Sequence, residues 1–215
     1  MKKLIISFII LIISISCKKK EENKGIETEL STAEKIANAH GFENWKNVSK
    51  IAFNFNQKRS WEWNPKTNVI TLITDNDTIV YNRKSIDSIS ENADKGFIND
   101  KFWLLIPFQL VWDIGKTISE PVKTEAPISK IEMNKITLLY SNEEGYTPGD
   151  AYDIYYSDDY IIKEWAFRKG NKLEAGLVNT FENYQDFNGI KIALDHKKAE
   201  GDWNLKFTDV KVTLE

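Results

Sequence analysis

The sequence predicts a mainly β, α+β fold: a highly curved antiparallel sheet, or open half-barrel, of about ten strands covering short apolar helices. Apolar and polar residues alternate over much of residues 50–83 and 136–214, and clusters of Asn, Asp, Gly and Pro separate these runs. Residues 102–112 interrupt the alternation with nine apolar side chains in eleven positions. Such a segment must be covered by sheet or by ligand, and a curved sheet covers it economically.

Residues 1–16 predict a signal peptide, because two lysines precede an uncharged stretch rich in Ile and Leu. The stretch is shorter than the roughly 20 apolar residues of a spanning helix. The tetrad Ser14-Ile15-Ser16-Cys17 resembles a bacterial lipobox, with a small residue before the only cysteine of the chain. The alternatives to a lipoprotein signal are ordinary secretion and an uncleaved anchor helix. Because the chain has a single cysteine, an intramolecular disulfide is excluded.

The lipobox resemblance implies that Cys17 becomes the mature N-terminus and carries diacylglycerol on its sulfur. Residues 17–30 then form a charged, flexible tether, and the membrane is a partner through this lipid anchor. We expect the cell envelope of a Gram-negative bacterium, most often the outer membrane, on its periplasmic face or at the cell surface. Removing residues 1–16 deletes two of 29 bases and none of 32 acids, which leaves a net charge of −5. This charge argues against a nucleic-acid partner.

Residues 31–215 predict a single β-rich half-barrel domain. Ser31 and Glu34 form a capping box for a helix that ends near Gly41, and residues 42–48 add a further turn. We expect a first group of strands at residues 51–56, 60–64, 69–74 and 78–83.

Residues 84–112 predict one or two short helices, interrupted at Pro107. Two prolines within residues 115–130 indicate an extended connection. A second group of strands follows at residues 136–141, 152–157, 160–168, 173–184, 190–198 and 203–214.

Four segments resemble a family of bacterial envelope lipoproteins defined only as a domain of unknown function. They are Ala39-His40-Gly41 with Trp45, residues 99–108 (NDKFWLLIPF), Asp153-Ile154-Tyr155-Tyr156, and residues 184–190 (YQDFNGI). This family is similar in layout to the lipoprotein-localisation-factor (LolA-like) fold, an open half-barrel with a concave apolar face covered by helices. The resemblance implies a cavity that holds acyl chains, although one fold hosts many functions.

Motifs for catalysis or metal binding are sparse. A hydrolase needs Ser or Thr activated by His40 or His196, but the chain has no G-x-S-x-G. Two scattered histidines do not make a zinc site, and the acidic run from Asp150 to Asp159 has no EF-hand pattern. Because no glycine-rich phosphate loop is present either, we predict a protein that is not an enzyme, with no catalytic residues, metal ligands or cofactor.

The aromatic content suggests a binding function, since the chain has seven Trp, eleven Phe and eight Tyr. One hypothesis is a binder of lipid, such as palmitate, or of another hydrophobic ligand in the half-barrel cavity. Its candidate ligand-binding residues are Phe53, Phe55, Trp61, Trp63, Phe102, Trp103, Leu105, Phe108 and Trp112. The alternative is an envelope protein-protein interaction module with a filled core, and a hydrolase is a third choice.

Overall fold

The computed structural model describes residues 29–215, so the predicted signal peptide, Cys17 and nearly all of the tether lie outside the described residues. The first half begins with helix α1 (Thr32–Ala39) and a 3₁₀ helix (Phe42–Asn47). Strands β1 (Val48–Phe55), β2 (Arg59–Asn64), β3 (Val69–Ile73) and β4 (Thr78–Asn82) follow, and then helices α2 (Glu91–Leu104) and α3 (Ile106–Trp112).

The second half is a succession of strands with one short 3₁₀ helix at Lys169–Asn171. The strands are β5 (Lys116–Ile118), β6 (Val122–Glu125), β7 (Glu132–Tyr140), β8 (Ala151–Tyr156), β9 (Ile162–Arg168), β10 (Leu177–Thr180), β11 (Glu182–Phe187), β12 (Ile190–Lys197) and β13 (Asn204–Leu214). All register pairs between these strands are antiparallel.

The thirteen strands of residues 29–215 form two sheets. The larger sheet has the order β11-β12-β13-β1-β2-β3-β4, and the smaller has the order β10-β9-β8-β7-β5, with β6 also paired to β7. The sheets meet at Phe181, where the chain passes from β10 to β11, and the Lys197 amide donates to the Thr180 hydroxyl at 3.1 Å. Both sheets are antiparallel, and they do not close into a barrel. The chain is therefore mainly β with a curved, open antiparallel sheet arrangement, which confirms the predicted fold class.

The strand count exceeds the predicted ten for two local reasons. The segment predicted as an extended connection contains β5 and β6, which pair with β7. The single strand predicted over residues 173–184 is divided at Phe181 between the two sheets. Pro107 lies in the first turn of α3, so the predicted interruption of the helix is present.

Helices α2 and α3 lie between the two sheets and fill the concave side. Phe97, Leu104 and Phe108 belong to the buried cluster of the larger sheet. Phe102 and Ile106 belong to the cluster of the smaller sheet. The helical pair therefore contributes to both halves of the core, and its apolar residues are covered by sheet as the sequence predicted.

The predicted capping box opens α1. The Ser31 amide donates to the Glu34 carboxylate at 2.8 Å, and the Glu34 amide donates to the Ser31 hydroxyl at 3.3 Å. The helix ends at a left-handed Gly41, whose φ is +92°, and a Cβ there would lie 1.8 Å from the Gly189 carbonyl oxygen. Glycine is thus required both for the backbone conformation and for the close approach of α1 to the β11–β12 turn.

Within residues 29–215, no helix combines the length and apolarity that crossing a membrane requires.

Candidate functional site

Most of the nine predicted ligand-binding residues belong to the packed core. Seven of them are at most 8% exposed. The larger sheet's cluster contains Phe53, Phe55, Trp61, Trp63, Leu105 and Phe108, the smaller sheet's cluster contains Phe102, and Trp103 and Trp112 are half-buried against the core. The structure therefore fills the concave interior with the protein's own side chains, and a ligand-binding role for most of the set stays a prediction.

A cleft of about 240 Å³ opens beside two of the predicted residues. We call it the aromatic cleft, and its lining consists mainly of rings from α2, the β7–β8 loop and strands β8 to β10. The lining residues are Asn99, Phe102, Trp103, Tyr146, Thr147, Tyr152, Trp165, Phe167 and Leu177.

One face of the aromatic cleft is a cross-strand row. Tyr152 on β8 pairs directly with Phe167 on β9, and Phe167 pairs with Leu177 on β10. The rings of Tyr152 and Phe167 are 5.1 Å apart between centroids. Because directly paired residues point to the same face of a sheet, the register sets three apolar side chains side by side.

The opposite face comes from α2. The Trp103 ring meets the Trp165 ring edge to face, with centroids 4.5 Å apart, and the Phe102 ring lies 5.1 Å from that of Tyr152. These contacts anchor the helix on the smaller sheet. They leave the cleft bounded by flat apolar surfaces, which are the lining that an aliphatic or aromatic ligand requires.

Tyr146 lines the aromatic cleft from the β7–β8 loop. Its ring stacks on Phe102 with a centroid separation of 3.8 Å and an interplanar angle of 12°. Its hydroxyl donates to the Asn99 side-chain oxygen at 3.0 Å. Burial raises the pKa of the Tyr146 and Tyr152 phenols above their ordinary range, so both remain neutral donors or acceptors at physiological pH.

A second cleft, of about 290 Å³, adjoins the aromatic cleft and shares lining residues with it. We call it the polar cleft, because cations, an amide and a carboxylate are among its lining groups. The lining residues are Arg83, Ile98, Lys101, Phe102, Gln109, Asp113, Ile114, Gly145 and Tyr146. Phe102 and Tyr146 thus line both clefts.

Two charged groups of the polar cleft already have protein partners. The Arg83 Nε donates to Asp94 at 2.7 Å, and the Asp113 carboxylate accepts from the Tyr140 hydroxyl. Burial lowers the pKa of the Lys101 ammonium to about 8, so it is still mainly charged at pH 7. Its Nζ lies over the rings of Trp112 and Trp63, at 5.8 Å and 6.0 Å from their centroids.

Both candidate bases for a hydrolase are fully buried. His40 and His196 have no exposed surface, and neither lines the aromatic or the polar cleft. The Nδ1 atom of His40 hydrogen-bonds to the Ile36 carbonyl at 2.8 Å, and that of His196 to the Thr180 carbonyl at 3.2 Å. Burial lowers the pKa of both rings to about 4, so they are neutral structural side chains at pH 7.

The acidic residues of the β8 region have separate structural partners. Asp153 is paired with Arg168 at 2.8 Å, and Asp150 accepts from the Gly170 amide at 2.7 Å. Asp158 accepts from the Asn134 side-chain amide at 3.0 Å. Across residues 29–215, no group of three or more His, Cys, Asp or Glu side chains is arranged to hold a metal ion.

Sequence reasoning missed the sheet side of the aromatic cleft. Tyr152, Trp165 and Phe167 were assigned only to strands, since alternation shows that a residue is buried but not which residue it faces. One signal could have indicated the cleft: Tyr146 is a large aromatic residue in a loop between two glycines. Such a side chain in a loop suggests that its ring packs against another part of the protein.

Comparison with protein-family models, curated proteins and solved structures finds no match to this chain. The likeness to envelope lipoproteins and to the LolA-like layout therefore stays a prediction from the sequence.

Proposed function

We propose that this protein is a lipid-anchored protein of the bacterial envelope that binds a hydrophobic ligand in the aromatic cleft. The observation that carries the proposal is the cleft itself, about 240 Å³ in volume and lined mainly by aromatic rings. An apolar ligand gains roughly 25 cal/mol for each Å² of apolar surface removed from water there. Static binding suits a tethered protein better than shuttling does, because a lipid anchor prevents free diffusion across the periplasm.

The lipid anchor is supported by the signal-peptide pattern and by the position of Cys17 at its end. Cys17→Ser should remove acyl labelling and release the protein from the membrane fraction. Membrane retention of the wild type without any metabolic acyl-chain label would contradict the anchor.

Ligand binding is tested on the full chain in lipid nanodiscs with a photoactivatable palmitate analogue. We expect cross-linked peptides from residues 99–103, 146–152 and 165–167. Leu177→Trp should fill the cleft and reduce this labelling, because Leu177 lines it. Leu173→Trp is the matched control, since Leu173 lies four positions earlier and is 99% exposed. Absence of label in these peptides, or equal labelling of both variants, would contradict the proposal.

An interaction module is the second candidate, favoured by the packed interior and by an apolar strip at one sheet edge. Val80 on the terminal strand β4 is 64% exposed, and Ile73 and Val69 on β3 are 40% and 37% exposed. An edge strand can pair with an extended segment of another envelope protein. This candidate predicts that Val80→Lys abolishes cross-linking to that partner in intact cells while palmitate labelling of the cleft is absent.

A further inference from the structure

The polar cleft contains a cation that makes no direct ion pair. In the part of the chain that the structure describes, the ion pairs within 4.0 Å do not include Lys101. Asp94 is paired with Arg83 and Asp113 accepts from the Tyr140 hydroxyl, so these two carboxylates act on Lys101 only through longer-range attraction. A desolvated ammonium that lacks a paired carboxylate is costly, because burial disfavours an isolated charge.

The same cleft contains an amide without a partner. Gln109 is 1% exposed, and its Nε2 finds no hydrogen-bond partner among the described residues. A buried amide that makes no hydrogen bond is uncommon in folded proteins and calls for an explanation. A ligand with oxygen atoms in the cleft would satisfy both Gln109 and Lys101.

Apolar surface surrounds these two groups and continues to the aromatic cleft. Ile98 and Ile114 line the polar cleft, and Phe102 and Tyr146 line both clefts. One molecule can therefore place a charged end near Lys101 and an apolar end beside Phe102. The required ligand is an amphiphile with an anionic oxygen group at one end.

We infer that the polar cleft binds the carboxylate of a long-chain carboxylic acid, with Lys101 as its counterion and Gln109 as a hydrogen-bond partner. The chain of this ligand occupies the aromatic cleft, so the inference rests on the proposed function and names its ligand class. A carboxylate fits better than a doubly charged phosphate, because Lys101 is the one cation among the described lining residues of the cleft that makes no direct ion pair.

The test compares two photoactivatable probes of equal chain length, a palmitate analogue and the corresponding fatty alcohol, on the full chain in nanodiscs. We expect the carboxylate to label the cleft peptides about tenfold more strongly, as a charge-assisted hydrogen bond predicts. Lys101→Met should reduce carboxylate labelling to the level of the alcohol and leave alcohol labelling unchanged. Lys95→Met is the control, because Lys95 lies on the same helix with its side chain 67% exposed.

A second measurement needs no variant. Acylation of Lys101 by an amine-reactive reagent, mapped by mass spectrometry on the wild-type chain, should slow when palmitate is present and stay unchanged with the alcohol. If both probes label the cleft equally and palmitate gives no protection, the carboxylate inference is overturned while the proposed function stands. If neither probe labels the cleft, the proposed function fails and the inference fails with it.

Discussion

Asp100 is the buried carboxylate on which the junction of α2 and β2 depends. Its exposed fraction is zero, and it accepts from Arg59 Nε and Nη2 at 2.7 Å each and from Trp61 Nε1 at 2.8 Å. The Asn99 side-chain amide adds a fourth donor at 2.9 Å. Asp100→Asn keeps the shape but turns one acceptor oxygen into an NH₂ group, so whichever way the amide lies, two of the four donors face a donor.

The cost follows from the exposure of each donor. The amide takes the cheaper orientation, in which the buried Trp61 Nε1 keeps its acceptor and the half-buried Asn99 amide loses its bond at a cost of about 0.5–1 kcal/mol. The Arg59 side chain is 33% exposed, so water replaces part of its lost ion pair and we assign it about 1–2 kcal/mol. We expect Asp100→Asn to lower the free energy of unfolding by about 2 kcal/mol.

Urea unfolding followed by tryptophan fluorescence measures this change. With a slope of roughly 2 kcal/mol per molar urea, the midpoint should fall by about 1 M. Glu62→Gln is the control, since the Lys50–Glu62 pair at 3.1 Å has side chains 44% and 46% exposed and contributes at most about 0.5 kcal/mol. A loss below about 1 kcal/mol for Asp100→Asn would refute the view that this carboxylate holds the junction.

Three further predictions use the same unfolding assay. Gly41→Ala should lower the free energy of unfolding by more than about 2 kcal/mol, because it combines a left-handed backbone with a clash against a carbonyl oxygen. The control Gly201→Ala also changes a glycine of positive φ but has open space around it, so it should cost about 1 kcal/mol. Equal losses for the two variants would contradict the clash. Ser31→Ala should cost about 1 kcal/mol by removing the cap of α1, and no measurable loss would show that the cap is dispensable. Because the pKa of buried His40 and His196 is lowered to about 4, the unfolded chain takes up protons first as the pH falls below 6.5. The free energy of unfolding should then drop by up to about 1.4 kcal/mol per pH unit for each histidine between pH 6.5 and 4, and a flat profile over pH 7 to 5 would contradict their burial as neutral rings.

Local features of the chain were predictable because they depend on neighbours in sequence. The capping box of Ser31, the left-handed end of α1 at Gly41 and the interruption at Pro107 each follow from the chemistry of one or two residues. The strand alternation was equally local, and it placed nine of the ten predicted strands near their observed positions. The division at Phe181 was not predictable, since it depends on which of two sheets accepts each half of one extended segment.

The clefts depended on contacts between segments far apart in the chain. Trp103 and Trp165 were both recognisable as apolar residues, but only the packing of α2 on the smaller sheet brings their rings to 4.5 Å. Likewise, a lysine at position 101 resembles any solvated helical lysine in the sequence. In the tertiary structure, no carboxylate oxygen of the described residues lies within 4.0 Å of its ammonium nitrogen.

The sequence by itself therefore determined the fold class, the caps and turns, and the expectation of a lipid anchor at Cys17, because each is written in adjacent residues. The tertiary structure decided that the predicted interior is packed and that two clefts share the rings of Phe102 and Tyr146 in their lining. The physical reason is that helix packing and strand register are set by contacts through space, and a pattern along the chain shows which residues are buried without showing what buries them.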